Sequence, residues 1–130
     1  MSAKTALADK TVLVADDDVE ILGLVTRHLR TYDGVRILEA SDGEEALKIA
    51  RRERPNLVIL DVMMPGMTGW EVCRAIREDE TLGATRVVML TGIGERLNEM
   101  TSPLYGADEY LDKPFEFGDL DDRIHAAVSK

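Results

Sequence analysis

Leu57-Val58-Ile59-Leu60-Asp61-Val62-Met63-Met64-Pro65-Gly66 is the stretch from which the rest of the chain is read. Four consecutive apolar residues, two of them β-branched, describe a short strand buried on both faces, as strands of a parallel sheet are. Asp61 closes that run just before a Pro-Gly turn. A carboxylate placed there lies at the rim of the sheet, outside the carboxyl ends of the strands, where open α/β sheets bind ligands. Asp61 alone reads equally as a turn former, but ending a buried strand in a carboxylate is a costly way to make a turn.

Two other apolar runs end in residues suited to the same site. Val12-Leu13-Val14-Ala15 leads into Asp16-Asp17-Asp18, and Tyr110-Leu111-Asp112 leads into Lys113-Pro114. Strands are expected at 11–15, 35–40, 57–61, 86–91 and 108–112. Amphipathic helical patterns lie between them, near 18–31, 43–53, 68–78 and 95–104, with a last one near 118–129. Asp18, Asp42-Gly43 and Gly118-Asp119 supply helix starts, and Gly34, Pro55, Gly83 and Gly106 punctuate connections. Alternating strands and helices imply right-handed crossovers and a doubly wound parallel sheet. The leading topology is the flavodoxin-like (βα)5 fold with strand order 2-1-3-4-5. Residues 1–10 carry no pattern and are expected to form a flexible tail before a single domain at 11–130.

Bulk properties narrow the classes. The chain has 130 residues, 25 acidic and 16 basic, with a formal net charge of -9. That balance argues against direct nucleic-acid binding and against attraction to anionic membranes. The single cysteine excludes an internal disulfide or a cysteine-based metal site. No apolar stretch reaches membrane-spanning length and the N-terminus lacks a signal-peptide core, so a cytoplasmic protein is expected.

The expected strand order gathers scattered residues. Asp16 and Asp17 flank Asp61, with Thr91 and Lys113 ending the next two strands. Three carboxylates about 4 Å apart, at an effective dielectric near 20, repel by roughly 4 kcal/mol per pair, and so call for a cation or shared protons. Magnesium suits such a site: it takes oxygen ligands and uses one or two carboxylates with a substrate phosphate. Aspartate can accept a phosphoryl group. Lys113 can pair with phosphoryl oxygens and Thr91 can donate a hydrogen bond to them.

VLVADDDVEIL, LVILDVMMPGMTGWE, VVMLTG and GADEYLDKPF, in that order and at these spacings, resemble a response-regulator receiver domain of the chemotaxis-regulator type over about Lys10 to Lys130. The resemblance implies a two-component signalling domain, not an enzyme with an external substrate, that assists its own phosphorylation and dephosphorylation. It implies Asp61 as phosphoacceptor and Asp16 and Asp17 as the acidic pair holding Mg2+ with Asp61. Met63 would add its backbone carbonyl to the metal. Thr91 and Lys113 would contact the phosphoryl group, Tyr110 would be the switch aromatic, and the Lys113–Pro114 bond would be cis. The implied donor is a sensor histidine kinase or histidine phosphotransfer protein. The implied output is an unnamed protein bound through the fourth helix, fifth strand and fifth helix. Such a domain either stands free or forms part of a longer protein.

Rival readings fit less well. A haloacid-dehalogenase-type phosphatase matches Asp16-Asp17-Asp18 but meets Glu20 where Thr or Val is wanted, and the chain lacks a cap domain. A flavodoxin-type redox carrier must cradle a phosphate where three aspartates would repel it. The phosphate-binding G-x-x-x-x-G-K-[ST] is absent, and an EF-hand from Asp16 meets Ile21 where glycine is required. A receiver that has lost its chemistry and serves only for docking would not keep Asp16, Asp17, Asp61, Thr91 and Lys113 together. Trp70 and Cys73 read as core, and His28 and His125 have no partners at ligand spacing. Two departures from the family stand out: glycines at 92 and 94 after Thr91, and Pro103 inside the expected fourth helix, which should kink or shorten it.

Overall fold

A computed structural model describes residues 3–92 and 106–130. Five parallel strands, β1 (Thr11–Ala15), β2 (Arg36–Ala40), β3 (Leu57–Asp61), β4 (Arg86–Thr91) and β5 (Glu109–Asp112), form one sheet in the order β2-β1-β3-β4-β5. Both this order and the doubly wound class are those expected. Helices α1 (Val19–Leu29), α2 (Gly43–Glu53), α3 (Gly69–Glu78) and a C-terminal helix (Phe117–Val128) cover the faces. The expected fourth helix at 95–104, with Gly94 and Pro103, lies outside the described residues.

The two-sided burial inferred for the central strands is explicit in how their side chains divide. Leu57 and Ile59 of β3, Val12 and Val14 of β1, and Val88 and Leu90 of β4 join one apolar layer, with Leu22, Val25 and Leu29 of α1 and Leu120 and Ile124 of the C-terminal helix. The alternate residues Val58, Leu60, Leu13, Ala15, Val87 and Met89 join the opposite layer, with α2 and α3. This is the period-two alternation of a strand with both faces covered. Trp70 and Cys73 belong to the second layer and are buried, as expected; burial pushes the Cys73 thiol up to about 12, so it is protonated and inert.

Helix starts follow local chemistry. Asp18 accepts from the amides of Glu20 and Ile21, Asp42 from that of Glu45, and Thr68 and Glu71 form a reciprocal capping box. The last helix lies where expected to within one residue, starting at Phe117, and Glu116 before it makes no side-chain cap.

The described part of the segment expected as a tail at 1–10 makes contacts with the rest of the fold. Lys4 accepts from the Asp33 amide at 2.8 Å, the Asp9 amide donates to Gly34 at 2.9 Å, and Leu7 is fully buried in the α1 layer. A single apolar side chain has no periodicity to show in a sequence, yet its burial is enough to pin the segment. His28 and His125, given no partners in the sequence reading, also meet some. His28 Nε2 lies 2.8 Å from Asp121, and the Tyr32 hydroxyl bonds Asp121 and faces His125 Nε2 at 3.4 Å. Burial alone would push the Asp121 carboxyl up; the bonds from Tyr32 and His28 outweigh it and hold it below the usual carboxylate range. This cluster ties α1 to the C-terminal helix across the corner of the layer.

Candidate functional site

The carboxyl ends of β1, β3, β4 and β5 converge on one rim. Asp16 follows β1 and is buried, with its carboxylate accepting the Asp18 amide at 2.9 Å. Asp17, beside it, is exposed. Asp61 ends β3 and is 4% exposed. Lys113, just past β5, reaches back across the rim: its Nζ donates to Asp61 Oδ1 at 2.6 Å and to Asp16 Oδ2 at 3.4 Å. Asp16, Asp17 and Asp61 each present an oxygen within 4.8 Å of the other two. Four of the residues chosen from sequence are thus brought together: Asp16, Asp17, Asp61 and Lys113.

Thr91 ends β4 on the same rim and is buried, but its hydroxyl donates to Asp112 Oδ1 at 2.8 Å. Tyr110, on β5, packs against Trp70 with ring centroids 6.0 Å apart. The Met63 side chain is 61% exposed and takes no part in the core. The Lys113–Pro114 peptide is cis. Asp112 is the residue that sequence reading missed. The available signal was its place as the last residue of a strand whose neighbour ends in Thr91.

Electrostatics follow from this crowding. Burial is the main cause pushing the Asp61 carboxyl up to about 6; Lys113 opposes it and the Asp16 and Asp17 charges add to it. Asp16 is likewise raised, chiefly by burial, against its bond from the Asp18 amide and its pairing with Lys113. Burial opposes the charge on Lys113, but Asp61 and Asp16 outweigh it and raise its pKa. Among the described residues the rim therefore holds two buried carboxylates and one more at its edge against one cation, Lys113, an arrangement that a divalent ion would balance. Octahedral oxygen ligands about 2.1 Å from one ion lie roughly 3 to 4.2 Å apart, which the 4.8 Å spread of the three carboxylates accommodates with little movement. The site can hold a small, hard cation.

The backbone that presents Asp61 is held by close packing. The Val62 carbonyl accepts the Gly69 amide at 2.8 Å, and a Cβ on Gly69 would lie 2.2 Å from the Asp61 carbonyl oxygen. Only glycine lets α3 begin so near the end of β3. Gly69→Ala is expected to lower stability by about 1–3 kcal/mol, as overpacking does, and to displace the backbone after Asp61. Urea unfolding measures the loss; an unchanged midpoint would contradict the close approach.

Beside Lys113 runs an apolar groove of about 530 Å3 lined by Ile21, Leu24, Val25, Pro114, Phe115 and Phe117. Among the described residues no helix is long and apolar enough to cross a membrane.

Comparison with known proteins agrees with this architecture. A probable transcriptional regulator, ycf27 of Cyanophora paradoxa, is 38% identical over 121 residues, which are 93% of this chain and 49% of the relative. The alkaline phosphatase synthesis transcriptional regulatory protein PhoP of Bacillus subtilis is 37% identical over 122 residues, 94% of this chain and 50% of its own. The chain thus spans about half the length of these curated relatives. A crystal structure of a putative response regulator from Chloroflexus aurantiacus superposes with a TM-score of 0.85 at 30% identity, covering 93% of this chain and 98% of that one. Residues 12–125 match the family model described as the response regulator receiver domain. A match over so much of the chain, with the strand order and rim described above, means that the chain belongs to the response-regulator receiver domains, the phosphotransfer modules of two-component signalling.

Proposed function

We propose that Asp61 is the residue phosphorylated and that Asp16, Asp17 and Asp61, with the Met63 backbone carbonyl, hold Mg2+. The observation that carries this is the convergence of three carboxylates within 4.8 Å of one another with a lysine ammonium 2.6 Å from Asp61. An Asp61 carboxylate oxygen attacks the phosphorus of a phosphohistidine. The new P–O bond forms as the P–N bond breaks, and the imidazole leaves with the electron pair and takes a proton. Bound magnesium would neutralise charge on the phosphoryl oxygens and on the attacking carboxylate, which otherwise repel. Lys113 moves its hydrogen bond from the carboxylate to a phosphoryl oxygen, and Thr91 donates to another. Withdrawal of the Thr91 side chain toward Asp61 makes room on the β5 side, where Tyr110 responds.

The donor is a sensor histidine kinase or histidine phosphotransfer protein, and the output is read by a protein partner. In this role the chain is a signalling domain that assists its own phosphorylation. A net charge of -9 suits protein contacts, not direct contact with nucleic acid. Both curated relatives named above are transcriptional regulators about twice as long. That length relation favours, as a second reading, a receiver that controls transcription through a further domain. A single, buried cysteine, Cys73, fits the reducing cytoplasm.

The test is incubation with acetyl phosphate and MgCl2 followed by intact-protein mass spectrometry. One added phosphoryl group, stable to acid, lost to hydroxylamine and dependent on magnesium, is expected. No gain, or a gain that survives hydroxylamine, would overturn the assignment, since an acyl phosphate is cleaved by that reagent.

A further inference from the structure

The phosphoryl chemistry leaves one contact at the rim unexplained. Asp112 ends β5 directly opposite Thr91 in the parallel ladder. The buried Thr91 hydroxyl donates to Asp112 Oδ1 at 2.8 Å, with a longer approach of 3.5 Å to the Leu111 carbonyl. A hydroxyl has one proton to donate. While that proton lies on Asp112, it is not available to a phosphoryl oxygen on Asp61.

We propose that Asp112 is a positioning residue that latches the Thr91 hydroxyl away from the phosphorylation site and so opposes the phosphorylated-state conformation. This rests on the reading of Asp61 and Thr91 given above. A bond to a carboxylate is stronger than one to a neutral carbonyl, so the acid at 112 holds Thr91 more firmly than Leu111 does. A phosphoryl group presents three anionic oxygens beside Lys113 and competes the latch off. The Lys113 amide bonds the Thr91 carbonyl at 2.7 Å, which keeps the two strand ends in register. Release is therefore a rotation of the Thr91 side chain, with the ladder intact. Asp112 is exposed, so exchanging it leaves the core untouched.

The test is the affinity for beryllium fluoride, a phosphoryl mimic, measured in magnesium by 19F NMR of the bound fluorides on the whole chain. Asp112→Ala is expected to bind roughly three- to tenfold more tightly than wild type, the equivalent of one net hydrogen bond. Asp112→Asn, which keeps an acceptor without the charge, gains less. In a Thr91→Val background, Asp112→Ala brings no further gain, because no hydroxyl remains to be released. Equal affinity of wild type and Asp112→Ala would sink the latch. So would an undiminished gain in the Thr91→Val background, or equal gains from Asn and Ala, since either would assign the effect to lost negative charge. Wild type that neither binds beryllium fluoride nor takes a phosphoryl group from acetyl phosphate would overturn the Asp61 assignment itself, and the latch with it.

Discussion

An Asp61→Asn variant is expected to take up no phosphoryl group from acetyl phosphate and yet, without divalent cations, to be more stable than wild type at pH 8. The first half follows from chemistry, since the amide oxygen is not a nucleophile that can form an acyl phosphate. The second follows from where Asp61 sits. Burial, with the nearby Asp16 and Asp17 charges, raises its carboxyl to about 6 against the opposing pull of Lys113. A carboxyl raised in the folded state binds its proton more tightly there than in the unfolded chain. Between the ordinary value near 4 and about 6, the folded protein holds more protons, so stability falls as pH rises through that window. Above it, the ionised group costs on the order of 1–3 kcal/mol, at about 1.4 kcal/mol per pH unit of displacement with allowance for water at the rim. Asparagine removes that cost. Its advantage should be full at pH 8, shrink to roughly half near pH 5 and vanish only below about pH 4, where the unfolded chain takes up its proton as well. Urea midpoints in EDTA at pH 8 and pH 5 measure it. A variant less stable than wild type at pH 8 would mean that Lys113 contributes more to the folded state than burial of Asp61 costs.

The sheet and most of the rim were legible in the sequence for reasons that can be located. β3 reads as a strand because Leu57 to Leu60 are apolar without interruption, which no half-exposed strand or amphipathic helix would be. Once β3 and β1 are neighbours, Asp16 and Asp61 must approach, because each lies at the end of its strand. Asp18 and Asp42 announce their helices through a local interaction, a side chain capping amides two or three positions on. What stayed hidden depends on register or on isolated residues. Asp112 meets Thr91 because β4 and β5 pair with those residues in line; the shared strand ends hinted at it, but the linear reading gave Asp112 no partner. His28 finds Asp121, 93 positions away, only through the packing of two helices on one face. Leu7 anchors the N-terminal segment as a single side chain, with no pattern to flag it.

Lys113→Met should give the other large effect, and it separates the charge balance of the rim from the nucleophile. Lys113 is the cation that the structure places against Asp61, at 2.6 Å, and against Asp16, at 3.4 Å. Removing one partner of a buried pair leaves the other charge uncompensated, a loss of about 3–5 kcal/mol when both are fully enclosed. The Lys113 side chain is 22% exposed and the carboxyls can take up protons, so about 1–3 kcal/mol is the expected loss at pH 8 in EDTA. The pH dependence has a definite sign. Lys113 is raised above its ordinary value near 10.5, so it stays charged throughout the range from pH 5 to 9, and its own titration removes stability only above that range. Between pH 5 and 8 it is the carboxyls that change. Without Lys113 their pKa values rise further, and the deficit of the variant should widen from pH 5 to pH 8. Magnesium, by supplying the missing positive charge, should raise the melting temperature of Lys113→Met more than that of wild type. Phosphoryl uptake should nevertheless fall by about tenfold to a hundredfold, because a cation on the carboxylates does not replace the hydrogen bond Lys113 gives to the incoming phosphoryl group. Equal stability of variant and wild type at both pH values would show that the Lys113–Asp61 pair does not form in solution, and the charge balance proposed for the rim would fail with it.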